Sequence, residues 1–373
     1  MSLPEPQFID RDPEVIEREI FELFESLANE TLSPTQPEAL LLRVLAYRET
    51  LLRIGVQEAA KQNLLRFAKF PMLDYIGELV GTPRLDAQAA TTTIKFTLPA
   101  VHGSDVIFIG GTRRKSKDGK VTFSTDDDAT ILTGELTVQV KATATVAGEV
   151  GNGYLAGQVA TEVDPLPQGA TAENVTTSGA GAAQETDLRY LERILLAPDA
   201  YSTAGSEEAY RYHALTASAL VVDVAVTSAV SGEIDITALE KSGVPSQETL
   251  DAITAKVSAK KVRPMSDTVS VAACTESTWT LTAALTLYAD ADDDETLAAA
   301  EQSAEEFTAK LRARLGRDAV LNQIVNALTV PGVFDLTISA PASSIVVTPT
   351  AWSNCTGITI TIAAHSDELM VVE

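Results

Sequence analysis

Three histidines are the first residues whose chemistry could suggest a metal or acid–base site. His102, His213 and His365 lie far apart in the sequence, and none stands in an HExxH or similar ligand spacing. A lone histidine is usually a polar or packed structural residue rather than a metal ligand. The sequence therefore gives little support to metal-dependent hydrolysis.

Two aspartate-rich runs are the next candidates, as cation sites. One extends from Thr125 to Asp128, and the other is Asp290 followed by aspartates at 292–294. Calcium loops alternate their oxygen ligands and end on a distal glutamate, and neither run completes that pattern. We interpret them as solvated turns or, for the second, as an N-cap before a helix at Glu295. The sequence predicts no metal and no cofactor.

Motifs for a nucleophile or a phosphate are also incomplete. Gly205-Ser206-Glu207 lacks the second glycine of a GxSxG elbow and is more typical of a helix cap. Cys274 and Cys355 are too few for a disulfide framework and are typical of buried small side chains. The stretch GGTRRKSKDGK lacks the GxxxxGK[ST] spacing of a phosphate loop. A carboxylate pair of a cell-wall hydrolase stays open as the main enzymatic alternative.

Length and charge bound the classes of protein to which this chain can belong. With 373 residues, 45% of them hydrophobic, it can form several domains that each bury a core. Its net charge of −24 repels nucleic-acid phosphates and anionic lipid alike. No apolar run approaches the roughly 20 residues that span a bilayer, and the N-terminus lacks a signal-peptide pattern. We expect no nucleic acid and no membrane as partners, and a protein kept in the cytosol or in something assembled there.

Residues 1–84 have the pattern of helices that belong in a bundle. Asp12 and Pro13 predict the start of a first helix. A second helix, predicted to run to about Phe70, carries large apolar residues at alternating steps of four and three. We predict that this stripe is a protein-interface seam, and the alternative is that it packs on its own domain. The stripe consists of Leu40, Val44, Tyr47, Leu51 and Ile54, with Leu41, Leu45 and Leu52 beside it.

Residues 85–162 alternate threonine, valine and isoleucine, a pattern typical of strands. We predict a small β-domain with strands in TTTIKFTL, KVTFST and ELTVQVKATATV, and with IGGTRRKSKDGK as a turn-rich connection. It ends on a glycine-rich stretch in which Gly151 and Gly153 flank Asn152, a combination suited to positive backbone dihedrals. Residues 163–204 are predicted as a linker and a helix.

The last part of the chain alternates strand and helix patterns. We interpret it as two α+β subdomains, 205–275 and 276–373, with SIVVT among the strands of the second. The predicted fold class is therefore α+β multidomain, with an N-terminal helical bundle segment, a small β-domain and two α+β subdomains.

One helix of the first subdomain is a second candidate interface. Ser206 is predicted to cap it, and Tyr210 and Leu215 are predicted to pack on the strand LVVDVAV. Charged residues on its first turns would then be left to guide neighbouring copies. We predict Glu207 and Arg211 as these interface residues.

Three blocks of the sequence, in one order, resemble the baseplate J-like proteins of contractile phage tails. The first is LLLRVLAYRETLLR followed by MLDYIGELVGTPR. The second is GTRRKSKDGKVTFSTDDDATILTGELTVQVKATATVAGEVGNGYLAG, and the third is GAGAAQETDLRYLERILLAPDAYSTAGSEEAYRYHAL. The resemblance covers almost the whole chain, and three blocks in one order are far more specific than any one.

The resemblance implies a structural component of the baseplate wedge, which joins wedges into a ring around the hub and couples baseplate rearrangement to sheath contraction. The implied partners are a baseplate I-like wedge protein, a second copy of the chain, neighbouring wedges, and hub or sheath components. Two J-like copies would combine with one I-like copy, the N-terminal helices would form a mixed bundle, and the later domains would make contacts between copies. The implied location is a virion tail baseplate, or a phage-tail-like particle, assembled in the host cytoplasm, and no catalytic residues are implied.

A carbohydrate-binding adhesin is a third class, suggested by the β-rich middle of the chain. Sugar-binding platforms usually present exposed aromatic rings, and aromatic residues make up only 5% of this sequence. Both tryptophans, Trp279 and Trp352, flank β-rich segments, and we interpret them as core or interface anchors.

Overall fold

The computed structural model describes residues 4–201, 205–260, 262–264 and 266–370. The end of the predicted linker and helix, at residue 204, lies outside this part of the chain. The chain divides into two compact units, which are Met1–Arg84 with Thr186–Leu195, and Leu85–Glu185 with Leu196–Glu373. Helices make up the first unit, and the second contains the β-domain and both α+β subdomains, so the predicted fold class is confirmed.

The first unit is built from four helices in the described residues. Asp12 caps the first of them, because its carboxylate accepts a hydrogen bond from the Glu14 N–H at 3.0 Å, and Pro13 occupies the first turn as predicted. The helices are α1 (Pro13–Ala28), α2 (Pro37–Lys61), α3 (Met72–Leu79) and α4 (Asp187–Leu196), the last residue of which belongs to the second unit.

The apolar pattern predicts that helix α2 runs to about Phe70. In the structure the helix ends at Lys61. The cause is the side chain of Gln62, which bonds the backbone of the turn that follows. Its oxygen accepts from the Lys69 N–H at 2.9 Å, and its Nε2 donates to the Phe67 carbonyl at 3.3 Å. These bonds satisfy backbone groups that a continued helix would otherwise have used.

A small core in the first unit joins α3 to α4. Tyr190 is buried, and its hydroxyl donates to the Thr82 carbonyl at 2.7 Å. Arg84 lies over the Tyr190 ring, 4.5 Å from its centroid, and pairs with Asp74 and Asp187 at 2.8 Å each. Cation–π and paired charge–charge contacts therefore fix the chain where it leaves α3 and where it returns as α4.

The β-domain in the second unit is a nearly closed, barrel-like sheet. Six strands follow the order β7-β3-β4-β6-β1-β8, and β2 and β5 pair separately. Pairing is antiparallel throughout. The strands are β1 (Ala89–Thr97), β2 (Val106–Phe108), β3 (Arg113–Ser116), β4 (Thr122–Thr125), β5 (Ala129–Ile131), β6 (Thr137–Ala147), β7 (Val159–Glu162) and β8 (Thr171–Asn174).

Two predictions for this region need correction. The residues RRKS form strand β3, and only residues 117–121 separate it from β4, where Gly119 has a φ of 74° that suits a tight turn. The predicted linker contains strand β8, which pairs with β1 from Ile94 to Thr97. The proline, glycine and alanine content of this stretch predicts a linker, whereas the short strand depends on hydrogen bonds with partners that are distant in the sequence.

Side chains close the gap between the two end strands of the barrel. Asn174 at the end of β8 is buried, and its Oδ1 accepts from the Val159 N–H of β7 at 2.8 Å. Its Nδ2 donates to the carbonyls of Leu155 and Thr176 at 3.0 and 2.9 Å. Asn152 exchanges two hydrogen bonds of 2.8 Å with the backbone of Gly181. The glycine-rich exit is therefore held against the segment that follows β8.

The two α+β subdomains have three-stranded sheets with one parallel pair each. In the first, β10 pairs parallel with β11 and antiparallel with β9, and in the second β12 pairs parallel with β14 and antiparallel with β13. The first consists of α5 (Glu207–Leu215), β9 (Val221–Thr227), β10 (Glu233–Glu240), α6 (Gln247–Val257) and β11 (Thr268–Ala273). The second consists of β12 (Thr275–Leu287), α7 (Asp293–Arg312), α8 (Leu321–Leu328), β13 (Val333–Ala340) and β14 (Ala351–His365).

The segment SIVVT, predicted as a strand, lies outside these sheets. Ile345 makes one isolated bridge with Ala319, and the Val347 N–H donates to the Asp318 carboxylate at 2.9 Å. Pro349 follows and has no N–H for a ladder. The apolar composition of SIVVT therefore does not produce a paired strand.

The two subdomains share a small buried contact. Trp352 packs with Leu239 and Leu315, and its Nε1 donates to the Arg312 carbonyl at 3.0 Å. The Asp223 carboxylate on β9 accepts from the Leu315 N–H at 2.9 Å. Apolar packing and a buried hydrogen bond therefore link the two sheets.

The buried position of His213 predicts that the stability of the first subdomain depends on pH. Burial, together with the nearby charge of Lys256, lowers the pKa of His213, and its Nδ1 is buried with no hydrogen-bond partner among the described residues. The folded state therefore binds a proton less readily than the unfolded state. Stability should be full above the unfolded pKa of about 6.5 and should decrease as the pH falls below it.

We expect His213→Phe to reduce this pH dependence, because the ring is kept and the titrating group is removed. The measurement is the urea midpoint of the wild type and of His213→Phe at pH 7.5 and pH 5.5. An equal loss of stability in both proteins between the two pH values would assign the effect to other groups.

Candidate interaction surfaces

The buried face of α2 is not the predicted apolar stripe but a row of small or polar residues with one leucine among them. This face contacts α1 and, at Gln57, the segment before α1, and it consists of Ala39, Leu42, Ala46, Thr50 and Gln57. At its margins Arg43 pairs with Glu17 at 3.2 Å, and Arg53 lies 3.4 Å from Glu19. Small side chains let the two helices approach closely, and the acidic α1 complements the arginines of α2.

The predicted seam lies on a different side of α2 and is exposed. With about 100° between successive residues of a helix, the seam is centred about 110° from the face that contacts α1. Its side chains are 41 to 65% exposed in the isolated chain. The structure therefore leaves free the stripe that we predicted as an interface, which consists of Leu40, Val44, Tyr47, Leu51 and Ile54.

A second exposed stripe lies on the third side of α2, about 130° from the seam. Its side chains are 54 to 67% exposed. The apolar pattern alone predicts most of these residues as part of one broad stripe together with the seam. Projecting the sequence at 100° per residue would have separated the two. This second stripe consists of Leu41, Leu45, Leu52 and Val56.

An open cleft of about 800 Å³ runs along this second stripe. Ile9 and Ile20 form one wall, and Leu45, Leu52 and Val56 of α2 form the other. Arg48 and Glu49 are at its rim. Helix α2 therefore presents two exposed apolar stripes besides the face that contacts α1, and charged residues such as Arg48 and Glu49 lie beside them. Apolar stripes on a helix usually face a packing partner.

The segment before α1 is held along α2 by one buried side chain. Gln57 is fully buried, its Oε1 accepts from the Phe8 N–H at 2.8 Å, and its Nε2 donates to the Pro6 carbonyl at 2.7 Å. Lys61 adds an ion pair with Glu5 at 2.9 Å. This segment supplies Ile9 to the wall of the cleft.

We expect Gln57→Ala to release this segment, because the Phe8 N–H and the Pro6 carbonyl lose their partner, at a cost of roughly 1–3 kcal/mol. Alanine favours the helical conformation, so α2 should persist. Trypsin should then cleave after Arg11 faster than in the wild type. Gln57→Glu keeps an acceptor for Phe8 and is the matched variant, and equal cleavage rates in all three proteins would contradict this role of Gln57.

The residues predicted on α5 differ in their surroundings. Ser206 caps α5 as predicted, and Tyr210 and Leu215 are buried in the core with β9. Glu207 is exposed on the first turn of α5. Arg211 instead pairs with Asp223 at 2.6 Å and donates to the Val224 carbonyl at 2.5 Å, so its guanidinium is engaged within its own chain. Both residues stay predictions as interface contacts.

The cysteines and the second aspartate-rich run, which we considered as possible reactive or cation-binding residues, serve the fold. Cys274 and Cys355 are buried free cysteines, and burial raises the pKa of Cys274 to about 11. Asp292 caps α7 by accepting from the Glu295 N–H at 2.9 Å. Within the described residues, no group of three or more His, Cys, Asp or Glu side chains could hold a metal ion, and no helix is long and apolar enough to cross a membrane.

The two tryptophans do not form a sugar-binding platform. Trp279 and Trp352 are each only 7% exposed. Their indole N–H groups donate to the Ser353 hydroxyl and the Arg312 carbonyl, both at 3.0 Å. Both are core anchors, in agreement with their interpretation from the sequence.

Four domain families match the chain in succession. They are described as the baseplate J-like N-terminal domain (residues 35–91), barrel domain (93–181), central domain (202–273) and C-terminal domain (279–361). The chain belongs to the baseplate J-like family. This is a family of structural baseplate proteins, and its barrel domain extends over β8.

Known baseplate proteins are similar to this baseplate J-like chain. Baseplate protein J of Escherichia phage P2 is 34% identical over 199 residues, which is 53% of this chain and 65% of that relative. The match thus spans slightly less than two thirds of the relative's length. A chain in the cryo-EM structure of the anti-feeding prophage baseplate, 6-fold symmetrised, has a TM-score of 0.44 and 14% identity, covering 93% of this chain and 90% of that one.

Proposed function

We propose that this chain is a non-enzymatic subunit of the baseplate wedge of a contractile phage tail or a phage-tail-like particle. In this role it joins wedges into a ring around the hub and couples baseplate rearrangement to sheath contraction. The observation that carries the proposal is the exposure of α2, which presents two apolar stripes that α1 leaves uncovered. Exposed apolar stripes of this extent are typical of protein interfaces.

The partners proposed for these stripes are a baseplate I-like wedge protein and a second copy of this chain. Two uncovered sides of α2 suit two further helices, which would complete a mixed bundle around it. Full burial of a large apolar side chain is worth roughly 1.5–3 kcal/mol, and these side chains are 41 to 67% exposed, so each would contribute about half of that. The stripes can therefore supply much of the free energy of wedge assembly.

The second unit is proposed to contact neighbouring wedges and hub or sheath components. Glu207 on α5 is one proposed contact, and a charged residue at the rim of an interface acts mainly on association rate and specificity. Assembly is proposed to take place in the host cytoplasm, with the finished protein in the tail baseplate.

Electron microscopy of labelled particles tests the proposed location. A compact tag on this chain should appear as a ring of density close to the tail tube in negative-stain images. Density on side fibres would contradict a wedge role. A turbidity assay on peptidoglycan tests the non-enzymatic role, and clearing by the purified chain would overturn that part of the proposal.

A further inference from the structure

The barrel domain has an exposed apolar face at one end. Ile107, Ile109 and Leu132 are 60, 72 and 60% exposed. They lie on and beside the β2–β5 pair, on the face opposite Val106 and Phe108, which are buried in the barrel core. Because successive residues of a strand point to opposite faces, the pair closes the core with one face and presents these three side chains on the other. We call Ile107, Ile109 and Leu132 the apolar patch.

Carboxylates surround the apolar patch. Asp105 accepts from the N–H and the hydroxyl of Thr133 at 2.7 and 2.9 Å, and Asp128 accepts from the Gly110 N–H at 2.7 Å. Of the lysines on the neighbouring strands, Lys141 pairs with Glu248 at 2.9 Å, and Lys95 of β1 lies opposite Glu173 of β8. A surface that covers the patch should therefore combine apolar contact with positive charge. The exposed carboxylates are Asp105, Asp126, Asp127, Asp128 and Glu135.

The other end of the barrel has the opposite charge. Residues 113–120 contain five lysines and arginines and one aspartate, in a chain of net charge −24. Arg113 pairs with Asp164, and Arg114 is buried. The Asp118 carboxylate accepts from the hydroxyls of Ser116 and Tyr154. Lys115, Lys117 and Lys120 carry the remaining positive charge of the hairpin, with Lys120 4.0 Å from the Asp118 carboxylate, and we call these three lysines the basic tip.

The basic tip and the β2–β5 pair lie at a distance from each other in one barrel. Phe108, next to the patch, stacks on Phe96, which pairs with Val138 of β6. Beside the tip, the Thr122 carbonyl accepts from the Thr145 hydroxyl of β6 at 3.2 Å. Residues 138 and 145 are about 23 Å apart along an extended strand. The tip and the β2–β5 pair therefore lie toward opposite ends of the barrel, and Ile109, whose carbonyl accepts from Thr112 just before β3, is the patch residue nearest the tip along the chain.

We propose that the basic tip of one copy docks on the apolar patch of a second copy, head to tail. Contact between two patches would place their acidic rims against each other, which disfavours a symmetric pair. In the head-to-tail contact, lysine stems cover the apolar side chains while their ammonium groups approach the rim carboxylates. Such a contact repeats from copy to copy and can close a ring.

This inference rests on the proposed function only in taking a second copy as the neighbour. Two variants of the full chain test it. One carries Lys117→Cys at the tip and the other carries Asp127→Cys at the rim. A tag enlarges one of them, so that the mixed cross-linked species differs in size from the two unmixed ones. Both native cysteines are buried. Under mild oxidation the mixture should form the disulfide between the two variants about fivefold more than either variant cross-links with itself, and raised salt should reduce it.

A lysine in the patch supplies the matched comparison. Ile107→Lys in the Asp127→Cys background should lower the mixed cross-link several-fold, because it repels the tip. Val230→Lys, at a residue that is 55% exposed in the loop between β9 and β10, should leave it unchanged. Equal cross-linking in the mixture and in the single variants, or no effect of Ile107→Lys, would overturn the head-to-tail contact. The test needs only this chain, so its outcome is independent of binding to the wedge partner.

Discussion

Leu51→Asp should abolish co-purification with the baseplate I-like wedge partner while the second unit stays folded. Leu51 is at the centre of the seam and is 43% exposed in the isolated chain, so a carboxylate there can remain hydrated until a partner covers it. Covering it would bury an unpaired charge, at a cost of several kcal/mol. A pull-down against the partner, with circular dichroism of the free variant, measures both effects.

Two further variants separate loss of the interface from loss of the fold. Tyr47→Asp changes a seam residue that is 64% exposed, and it should weaken binding without affecting the free chain. Val346→Asp, at a residue that is 78% exposed in the second α+β subdomain, should leave binding intact. A normal pull-down with Leu51→Asp would mean that the seam is not the partner's surface. Unfolding of the whole chain would mean that the seam belongs to its own core.

Gly151→Val should destabilise the β-domain and reduce the yield of soluble protein. Gly151 is buried, and a Cβ there would lie 2.7 Å from the Cβ of Ala90 and 3.3 Å from that of Ala144. Two strands supply these atoms, so neither can easily move away. Overpacking of this kind costs roughly 1–3 kcal/mol. Thermal unfolding of the purified chain is the measurement.

A glycine with open space supplies the control. Nothing lies within 4 Å of a Cβ built at Gly179, so Gly179→Ala should leave the melting temperature almost unchanged, and Gly151→Ala should lower it. Equal melting temperatures for the two alanine variants would contradict the close-packing explanation. This explanation replaces our prediction from the sequence, because Gly153 has a positive φ of 84° and Gly151 does not.

Periodicity predicted the elements whose neighbours lie close in the sequence. The capping residues Asp12 and Ser206 mark helix starts in the structure, and LVVDVAV and GEIDITAL form paired strands. Strand β8 was not predicted, because its partner strand β1 lies about 80 residues earlier in the sequence. SIVVT is the opposite case. Its apolar composition predicts a strand, but the segment joins no sheet, and the Val347 N–H donates to the Asp318 carboxylate.

The seam could be predicted because large apolar residues at helical spacing need a neighbour, whether or not that neighbour is in the same chain. Sequence alone could not separate the face of α2 that contacts α1, because that face is made of small and polar residues such as Ala46 and Gln57. Its contacts depend on Glu17 and Pro6, distant positions that no local pattern connects to α2. The same limit applies to Arg211, whose partner Asp223 lies on a different element.

Site-specific cross-linking in intact particles tests the central claim most directly. A photoreactive amino acid in place of Leu51 should form cross-links to helices of other baseplate subunits, identified by mass spectrometry of the linked peptides. The same group in place of Val346 should give a different set of partners. Our account predicts links from position 51 to the I-like wedge protein or to the N-terminal helices of a second copy. Links from position 51 only to residues of its own chain would contradict it.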